Sequence, residues 1–293
     1  MFRCIFRIKN VRNFCTQPSA QLIDSLATTI QGLDRPTLSQ LFTSSPELAR
    51  YKANLWQQTY HLMAQEGFET AHFLSIVAGY PDLLARPAAQ LTASMDCWRS
   101  CQFGDRQMQV LLAAHPQLLD LTDHNQLAQR MAFLHTHFET RKNVWRLFMN
   151  SPNVVVDSVD SIQKKIDYVL QRMRIEVLET VKSCAFSAEL DHIRCRHVFL
   201  ERLGLFKPRK SDAEPGELSN NPKLHQITDT TDKRFAVKVA FVTLEEFEVF
   251  QELFRKELNK DDDDGDAEFD DVEDNDDYSI RKLSYKKKSR RKQ

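Results

Sequence analysis

The chain has 293 residues, a hydrophobic fraction of 42% and a formal net charge of −1. This length exceeds that of a minimal domain, and no apolar run reaches the length of a membrane span. The seven glycines never cluster into the loops that cradle phosphates or dinucleotides. These features disfavour a nucleotide-dependent enzyme and a protein that spans a membrane.

The first segment, residues 1–14, is basic and amphipathic. Four Lys or Arg residues alternate with apolar side chains there, and no acidic residue occurs before Asp24. Such a segment is typical of a mitochondrial presequence, which is drawn by the negative membrane potential. We therefore expect a presequence cleaved after Phe14 and a protein of the mitochondrial matrix. A basic amphipathic helix that stays on the mature protein is the alternative.

Proline-centred segments then recur at a nearly constant spacing. Pro46, Pro81, Pro116 and Pro152 are separated by 35, 35 and 36 residues, and Ala188 continues the series after another 36. Apolar residues lie eight, five and four positions before each proline, and a second set with i, i+4, i+7 spacing follows it. Because proline ends a helix, each copy is predicted to be a helix, a stop and a second helix. The period predicts an all-α solenoid.

The pattern inside the copies separates the known classes of helical repeat. The signatures of tetratricopeptide and ankyrin repeats are missing, and only one copy keeps the Pro-Asp that closes a pentatricopeptide repeat. The segments FLSIVAGYPDLL, VLLAAHPQLL and WRLFMNSPNVV, with HVFLERLGLF at 197–206, resemble the mTERF family of mitochondrial transcription termination factors. The resemblance covers residues 36–207. It implies a left-handed half-doughnut of three-helix units with a basic concave groove for nucleic acid, and we expect mTERF repeats over 20–207.

Cysteine and histidine do not form a recognisable site in the sequence. Cys97 and Cys101 are four residues apart, and Cys184 and Cys195 lie near two histidines, but no paired C-x-x-C spacing occurs. The nine histidines are scattered without a recognisable nucleophile and orienting acid. We therefore expect no catalytic residue, no metal and no cofactor.

Positive charge is concentrated in the later repeats. Residues 61–140 hold four Lys or Arg against eight Asp or Glu, whereas residues 141–210 hold fourteen against eight. Arg130, Lys165 and Arg202 lie beside the middle apolar residue of three second helices, and a cation repeated once per unit can follow a phosphate backbone. The other predicted nucleic-acid contacts are Arg141, Lys142, Arg146, Lys164, Arg172, Arg174, Arg194 and Arg196. A solvated helix face is the alternative for each of them.

A linker and a further helix are predicted after the repeats. Residues 208–235 are polar and contain three prolines, which predicts an exposed linker. The helical pattern resumes over 236–260, where Phe247, Phe250 and Phe254 face one way. A helix so rich in Phe is expected to dock on a partner.

The last 33 residues are predicted to be disordered. Twelve acidic residues occupy 261–277 and eight Lys or Arg occupy 281–292, a composition that cannot bury a core. A Phe-rich helix followed by a long acidic stretch resembles the mTERF member that pairs with a ribosomal RNA cytosine methyltransferase and brings it to the large mitochondrial ribosomal subunit. The basic end departs from that pattern.

The sequence thus predicts a non-enzymatic mitochondrial adaptor that binds ribosomal RNA and recruits an rRNA methyltransferase during assembly of the large ribosomal subunit. The alternative is a factor that binds duplex mitochondrial DNA and controls transcription or its termination. A protein scaffold that binds no nucleic acid is the third possibility.

Overall fold

The computed structural model of the chain describes residues 18–209 and 220–265, and it divides at Leu244 into two units. The described residues form α-, 3₁₀- and π-helices and no strand, which confirms the all-α prediction. The predicted presequence lies outside the described residues, as does the predicted tail beyond Gly265.

The helices follow the predicted repeat. The α-helices of the described residues are α1 (Ala20–Thr29), α2 (Arg35–Ser44), α3 (Ala53–Gln65), α4 (Thr70–Gly79), α5 (Ala88–Arg99), α6 (Asp105–Ala114), α7 (His124–Phe138), α8 (Arg141–Asn150), α9 (Val159–Ile166), α10 (Val177–Thr180), α11 (Leu190–Arg202), α12 (Leu224–Thr228), α13 (Asp232–Phe235) and α14 (Leu244–Gly265). The 3₁₀-helices are Pro46–Arg50, Pro81–Ala85, Pro116–Asp120, Pro152–Val155 and Ala185–Ser187, and the π-helices are Asp167–Arg172 and Ala236–Ala240.

The first four modules share one backbone break. Ser45, Tyr80, His115 and Ser151, each directly before the proline, have φ between −134° and −148° and ψ between 71° and 74°. A residue before proline is sterically kept out of the α conformation, so the first helix ends there. A 3₁₀-helix begins at the proline. Proline is tolerated at this first position, because the N–H of a first helical residue has no hydrogen-bond partner within the helix. The second helix of each module follows, as the sequence predicted.

The modules stack with like helices side by side. First helices α4, α6 and α8 pack against one another in order, and second helices α3, α5 and α7 do the same. Large side chains fill the space between the two layers; Trp98, for example, meets the ring of Phe148 edge-on at 6.0 Å. The stack therefore has a layer of first helices and a layer of second helices.

The fifth module is shorter than the sequence predicted. Its 3₁₀-helix, Ala185–Ser187, ends before Ala188, and α11 begins at Leu190. Because the second helix begins seven or eight residues after the proline in the other modules, Ser183 rather than Ala188 occupies the proline position. No proline ring fixes the break in this module, and the register moves by five residues.

Part of the predicted linker is helical. Residues 224–228 form α12 and residues 232–235 form α13, and α12 packs against α11. Leu224, Ile227 and Phe235 are fully buried. These three apolar residues anchor the segment, although the polar residues around them suggest a loop.

The predicted helix over 236–260 is interrupted. A π-helix, Ala236–Ala240, ends at Phe241, which has a left-handed φ of +58°. In the second unit α14 then continues to Gly265, five residues into the stretch predicted to be disordered. Phe247 and Phe254 are buried, and so is Phe250.

His197 is a fully buried histidine in α11. Its Nδ1 atom lies 2.8 Å from the hydroxyl of Tyr168, and its ring packs edge-on against Phe206 at 4.6 Å. Burial lowers the pKa of His197 to about 4. The side chain therefore packs as a neutral ring at neutral pH.

We expect the free energy of unfolding to decrease as the pH falls from 6.5 to about 4, because the histidine is protonated in the unfolded chain before it is protonated in the folded one. The shift corresponds to a loss on the order of 2–3 kcal/mol. Urea unfolding of the wild type and of His197→Gln at several pH values measures it. The stability advantage of the wild type should shrink as the pH falls, and an advantage independent of pH would contradict the assignment.

Candidate nucleic-acid interface

Each second helix carries a buried polar residue at one shared position. Counted from the proline position, the residue thirteen or fourteen places on is Thr59, Ser94, Arg130, Lys165 or Arg196. All five are buried. We call this the seam position.

The cations at the seam position bond to the backbone of the following module. Arg130 Nη2 donates to the carbonyl oxygen of Asp157 at 2.5 Å, and Lys165 Nζ donates to the carbonyl oxygen of Phe186 at 2.9 Å. The Asp157 carboxylate lies 3.8 Å from Lys165 Nζ. Burial lowers the pKa of both cations, while the charge of Asp157 opposes the change. These side chains are structural ties between modules.

Arg196 makes the same tie with more partners. Its Nη1 donates to the carbonyl oxygen of Ile227 at 2.6 Å, and its Nη2 donates to the Asp232 carboxylate at 2.5 Å. The guanidinium carbon lies 4.7 Å from the centre of the Phe235 ring. Arg196 therefore fixes α12 and α13 onto the fifth module.

The structure does not present the predicted line of cations at a common surface. Arg130 and Lys165 are buried, and so is Arg196. Arg202 is exposed but lies outside the seam position, because the fifth module is shorter. The spacing in the sequence could not reveal that Arg130 and Lys165 contact the next module and not solvent.

Four of the other predicted cations are engaged locally. Their partners are the Asp160 carboxylate for Lys164 (2.9 Å), Glu201 for Arg172 (3.4 Å), Asp191 for Arg194 (3.3 Å) and the carbonyl of Arg209 for Arg174 (2.6 Å). Exposed pairs of this kind contribute little to stability. A phosphate would nevertheless have to compete with these partners.

A second group of cations, on the first helices, has no such partner. Arg141 and Lys142 are exposed on α8 and Arg146 is half-buried, while Arg106 is exposed on α6 and Lys182 is exposed after α10. Among the described residues, none of these five side chains makes an ion pair or a hydrogen bond. We call the five the first-helix patch.

The patch spans neighbouring modules. Arg106 and Lys142 both lie ten residues before a proline, on helices that pack side by side, and Arg146 follows Lys142 by one turn. Trp145 Nε1 donates to the carbonyl oxygen of Gln107 at 3.0 Å, which fixes α8 against α6. Equivalent positions on neighbouring helices thus carry positive charge.

The next module continues this arrangement. Asn150 Nδ2, at the end of α8, donates to the carbonyl oxygen of Val181 at 2.8 Å, and Lys182 follows directly. Because Asn150 lies one turn after Arg146, the contact brings the segment that carries Lys182 to the end of α8.

The first turn of α8 is an unfavourable place for cations. Arg141 and Lys142 lie at the positive end of the helix dipole. Arg141 also lines a cavity of about 590 Å³ together with His124 and His135. A bound anion would relieve the repulsion, because it would meet free N–H groups and two cations together.

The contacts predicted from the periodicity of the sequence did not include two residues of the first-helix patch. Arg106 and Lys182 were not among the predicted contacts, although Arg106 shares the register of Lys142 and that signal was present in the sequence. Lys182 has no equivalent in the predicted register, and only the Asn150 contact places it beside α8.

The part of the chain that the structure describes has no cluster of His, Cys, Asp and Glu suited to a metal ion. Among the described residues Cys97, Cys101, Cys184 and Cys195 form no disulfide. Burial raises the pKa of Cys101 to about 12. Among the same residues no helix combines the length and the apolar character needed to cross a bilayer.

We expect Lys165→Ala to reduce the free energy of unfolding by about 1–3 kcal/mol, because the buried Phe186 carbonyl loses its hydrogen bond to a charged group and keeps only Asn153 Nδ2 as a donor. Lys142→Ala, which removes an exposed cation, should change it by less than about 0.5 kcal/mol. Urea denaturation compares the two. If both substitutions changed the free energy of unfolding equally, Lys165 would not be a structural tie distinct from the exposed cations of the first-helix patch.

Comparison with known proteins gives two findings. The mTERF family model matches residues 20–236. Over 179 residues the chain is 24% identical to the mouse (Mus musculus) protein "Transcription termination factor 4, mitochondrial", and this alignment covers 60% of the chain and 51% of the mouse protein. The chain thus spans about half the length of the curated relative it matches. Because the family model covers well over half of the chain, including α12 and α13, the chain belongs to the mTERF family.

Proposed function

We propose that this protein binds nucleic acid in mitochondria through the first-helix patch, and that its target is ribosomal RNA. The observation that carries the proposal is the set of five cations, on or next to neighbouring first helices, that have no ion-pair or hydrogen-bond partner among the described residues. Membership of the mTERF family and likeness to a protein named as a mitochondrial transcription termination factor support it.

The patch would act by charge and shape. Guanidinium and ammonium groups that have no carboxylate partner can bind phosphates and release counterions without first breaking an ion pair. Structured RNA is recognised mainly through its backbone and its shape, and a rigid row of helices suits that task. We propose a binding role and not an enzymatic one.

The finer proposal is an adaptor that brings an rRNA cytosine methyltransferase to the large mitochondrial ribosomal subunit. It rests on the resemblance of the Phe-rich helix and the acidic stretch. Since Phe247, Phe250 and Phe254 are buried, we assign the partner contact to the exposed face of α14, where Val249 is 60% exposed and Leu253 is 52% exposed.

Binding to duplex mitochondrial DNA is the second candidate. The mouse relative's name, a transcription termination factor, favours it. Both candidates use phosphate contacts, so charge alone does not separate them. Crosslinking bound nucleic acid in intact mitochondria and sequencing it decides between them: ribosomal RNA supports the adaptor, and promoter or terminator DNA supports the second candidate.

We expect the triple variant Arg106→Glu, Lys142→Glu, Arg146→Glu to bind a structured ribosomal RNA fragment at least about tenfold more weakly than the wild type. The slope of log K against log salt should decrease by about 2, since each lost phosphate contact removes about 0.7–0.9. Fluorescence anisotropy titrations at several salt concentrations measure both quantities.

The matched control is Lys164→Glu, Arg172→Glu, Arg194→Glu, which changes the net charge equally at positions that already have acidic neighbours. It should weaken binding less than the patch variant. Equal losses would assign binding to net charge, and no loss in either variant would favour the scaffold that binds no nucleic acid.

We expect Val249→Asp with Leu253→Asp to abolish co-purification of the methyltransferase from mitochondria while RNA affinity stays within about twofold, because a charge on an apolar contact face opposes docking. Glu248→Lys, an exposed change on the same helix, is the control. If mass spectrometry still detects the methyltransferase with the double variant, the exposed face of α14 is not the partner contact.

A further inference from the structure

We propose that a cationic surface at the end of the first unit, formed by Lys233, Arg234, Val237, Lys238 and Phe241, binds single-stranded RNA, with the Phe241 ring stacked on an unpaired base and the three cations on the adjoining phosphates. The inference rests on the proposed RNA-binding function and adds a second site, with a different form of RNA, to the first-helix patch.

Phe241 has an unusual combination of exposure and backbone conformation. It is 75% exposed, and its φ of +58° and ψ of 34° lie in the left-handed region that bulky residues rarely adopt. Val237, four residues earlier in the π-helix, is 44% exposed, and Lys233, another four residues earlier in α13, is also exposed. Both solvent and backbone disfavour a bare phenyl ring here, and a bound base would offset the exposure.

The charge around the ring is positive. Lys233, Arg234 and Lys238 are exposed and make no ion pair with a described residue. The acidic residue of the same segment, Asp232, accepts a hydrogen bond from Arg196 at 2.5 Å. A polyanion therefore meets three available cations beside an aromatic ring.

The surface is carried by a well-anchored element. On the opposite side of the segment Phe235, Ala236, Val239 and Ala240 are buried, and the Arg196 guanidinium stacks over Phe235 at 4.7 Å. The exposed residues thus extend from a fixed π-helix, a distortion that is frequent at functional sites. A rigid platform binds with a smaller loss of entropy than a loose chain end.

These features favour single-stranded RNA over a duplex. Within a duplex each base is already stacked and has no free face for a phenyl ring, whereas an unpaired base stacks on an aromatic side chain whatever its identity. An apolar protein partner would contact Val237 and Phe241, but it would not account for the three exposed cations of the same segment, which make no ion pair with a described residue. Protein binding is therefore an outcome of the test and not the proposal.

The test uses the full chain, a labelled single-stranded RNA of about 12 nucleotides and an RNA duplex of the same length. Phe241→Asn removes the ring and keeps a residue that tolerates the left-handed conformation, whereas Phe241→Trp keeps an aromatic ring. We expect Phe241→Asn to weaken single-strand binding about tenfold and duplex binding less than about twofold, and Phe241→Trp to bind both as the wild type does. Thermal denaturation verifies that both variants fold.

Lys233→Glu with Lys238→Glu should reduce the salt slope for the single strand by about 1, since exposed cations contribute through counterion release. Unchanged single-strand affinity in Phe241→Asn, or equal losses on both RNAs, would overturn the inference. Loss of a co-purified protein without loss of RNA affinity would assign the surface to protein binding and also overturn it. The first-helix patch triple variant separates the two proposals: if it loses RNA binding while Phe241→Asn does not, only the second site fails.

Discussion

Carbonyl groups in or beside the 3₁₀-helices Pro116–Asp120, Pro152–Val155 and Ala185–Ser187 accept hydrogen bonds from side chains of the preceding module. A buried carbonyl left without a hydrogen bond costs about 1–3 kcal/mol, so two modules pack well only if a polar side chain reaches across. Lys165 does this for Phe186, and Arg130 does it at Asp157. In the later modules this tie stabilises the stacking of like helices that places the surface cations of α8 and its neighbours.

Much of the fold was predictable because its cause is local. Proline bars the helical conformation at the residue before it, so Pro46 and its counterparts determine where each first helix ends. Where no proline constrains the backbone the prediction was wrong: the fifth break moved from Ala188 to Ser183. The helices over 224–235 were missed because their burial depends on contact with α11, which local polarity does not reveal.

The candidate site was less predictable, since the surroundings of a cation depend on which layer of helices carries it. Lys165 and Lys142 look alike in the sequence, yet one lies against a carbonyl of the next module and the other lies in solvent. The difference is the Phe186 carbonyl, which lies about twenty residues after Lys165 in the chain and meets it only when the modules stack. The number of Lys and Arg residues in the later repeats therefore overstates the positive charge available to a phosphate, because some of these side chains are buried between modules.

The hydrogen bonds that the seam cations make also run in one direction, from Arg130, Lys165 or Arg196 to the segment that follows in the chain. In the early modules the seam residue is Thr59 or Ser94, whose hydroxyl carries no charge. In the later modules it is a cation, Arg130, Lys165 or Arg196. During synthesis, which begins at the amino end, a nascent third, fourth or fifth module would hold an unsatisfied cation until its successor had left the ribosome. The early modules can become ordered as they emerge, and the final segment that carries Ile227 completes the array.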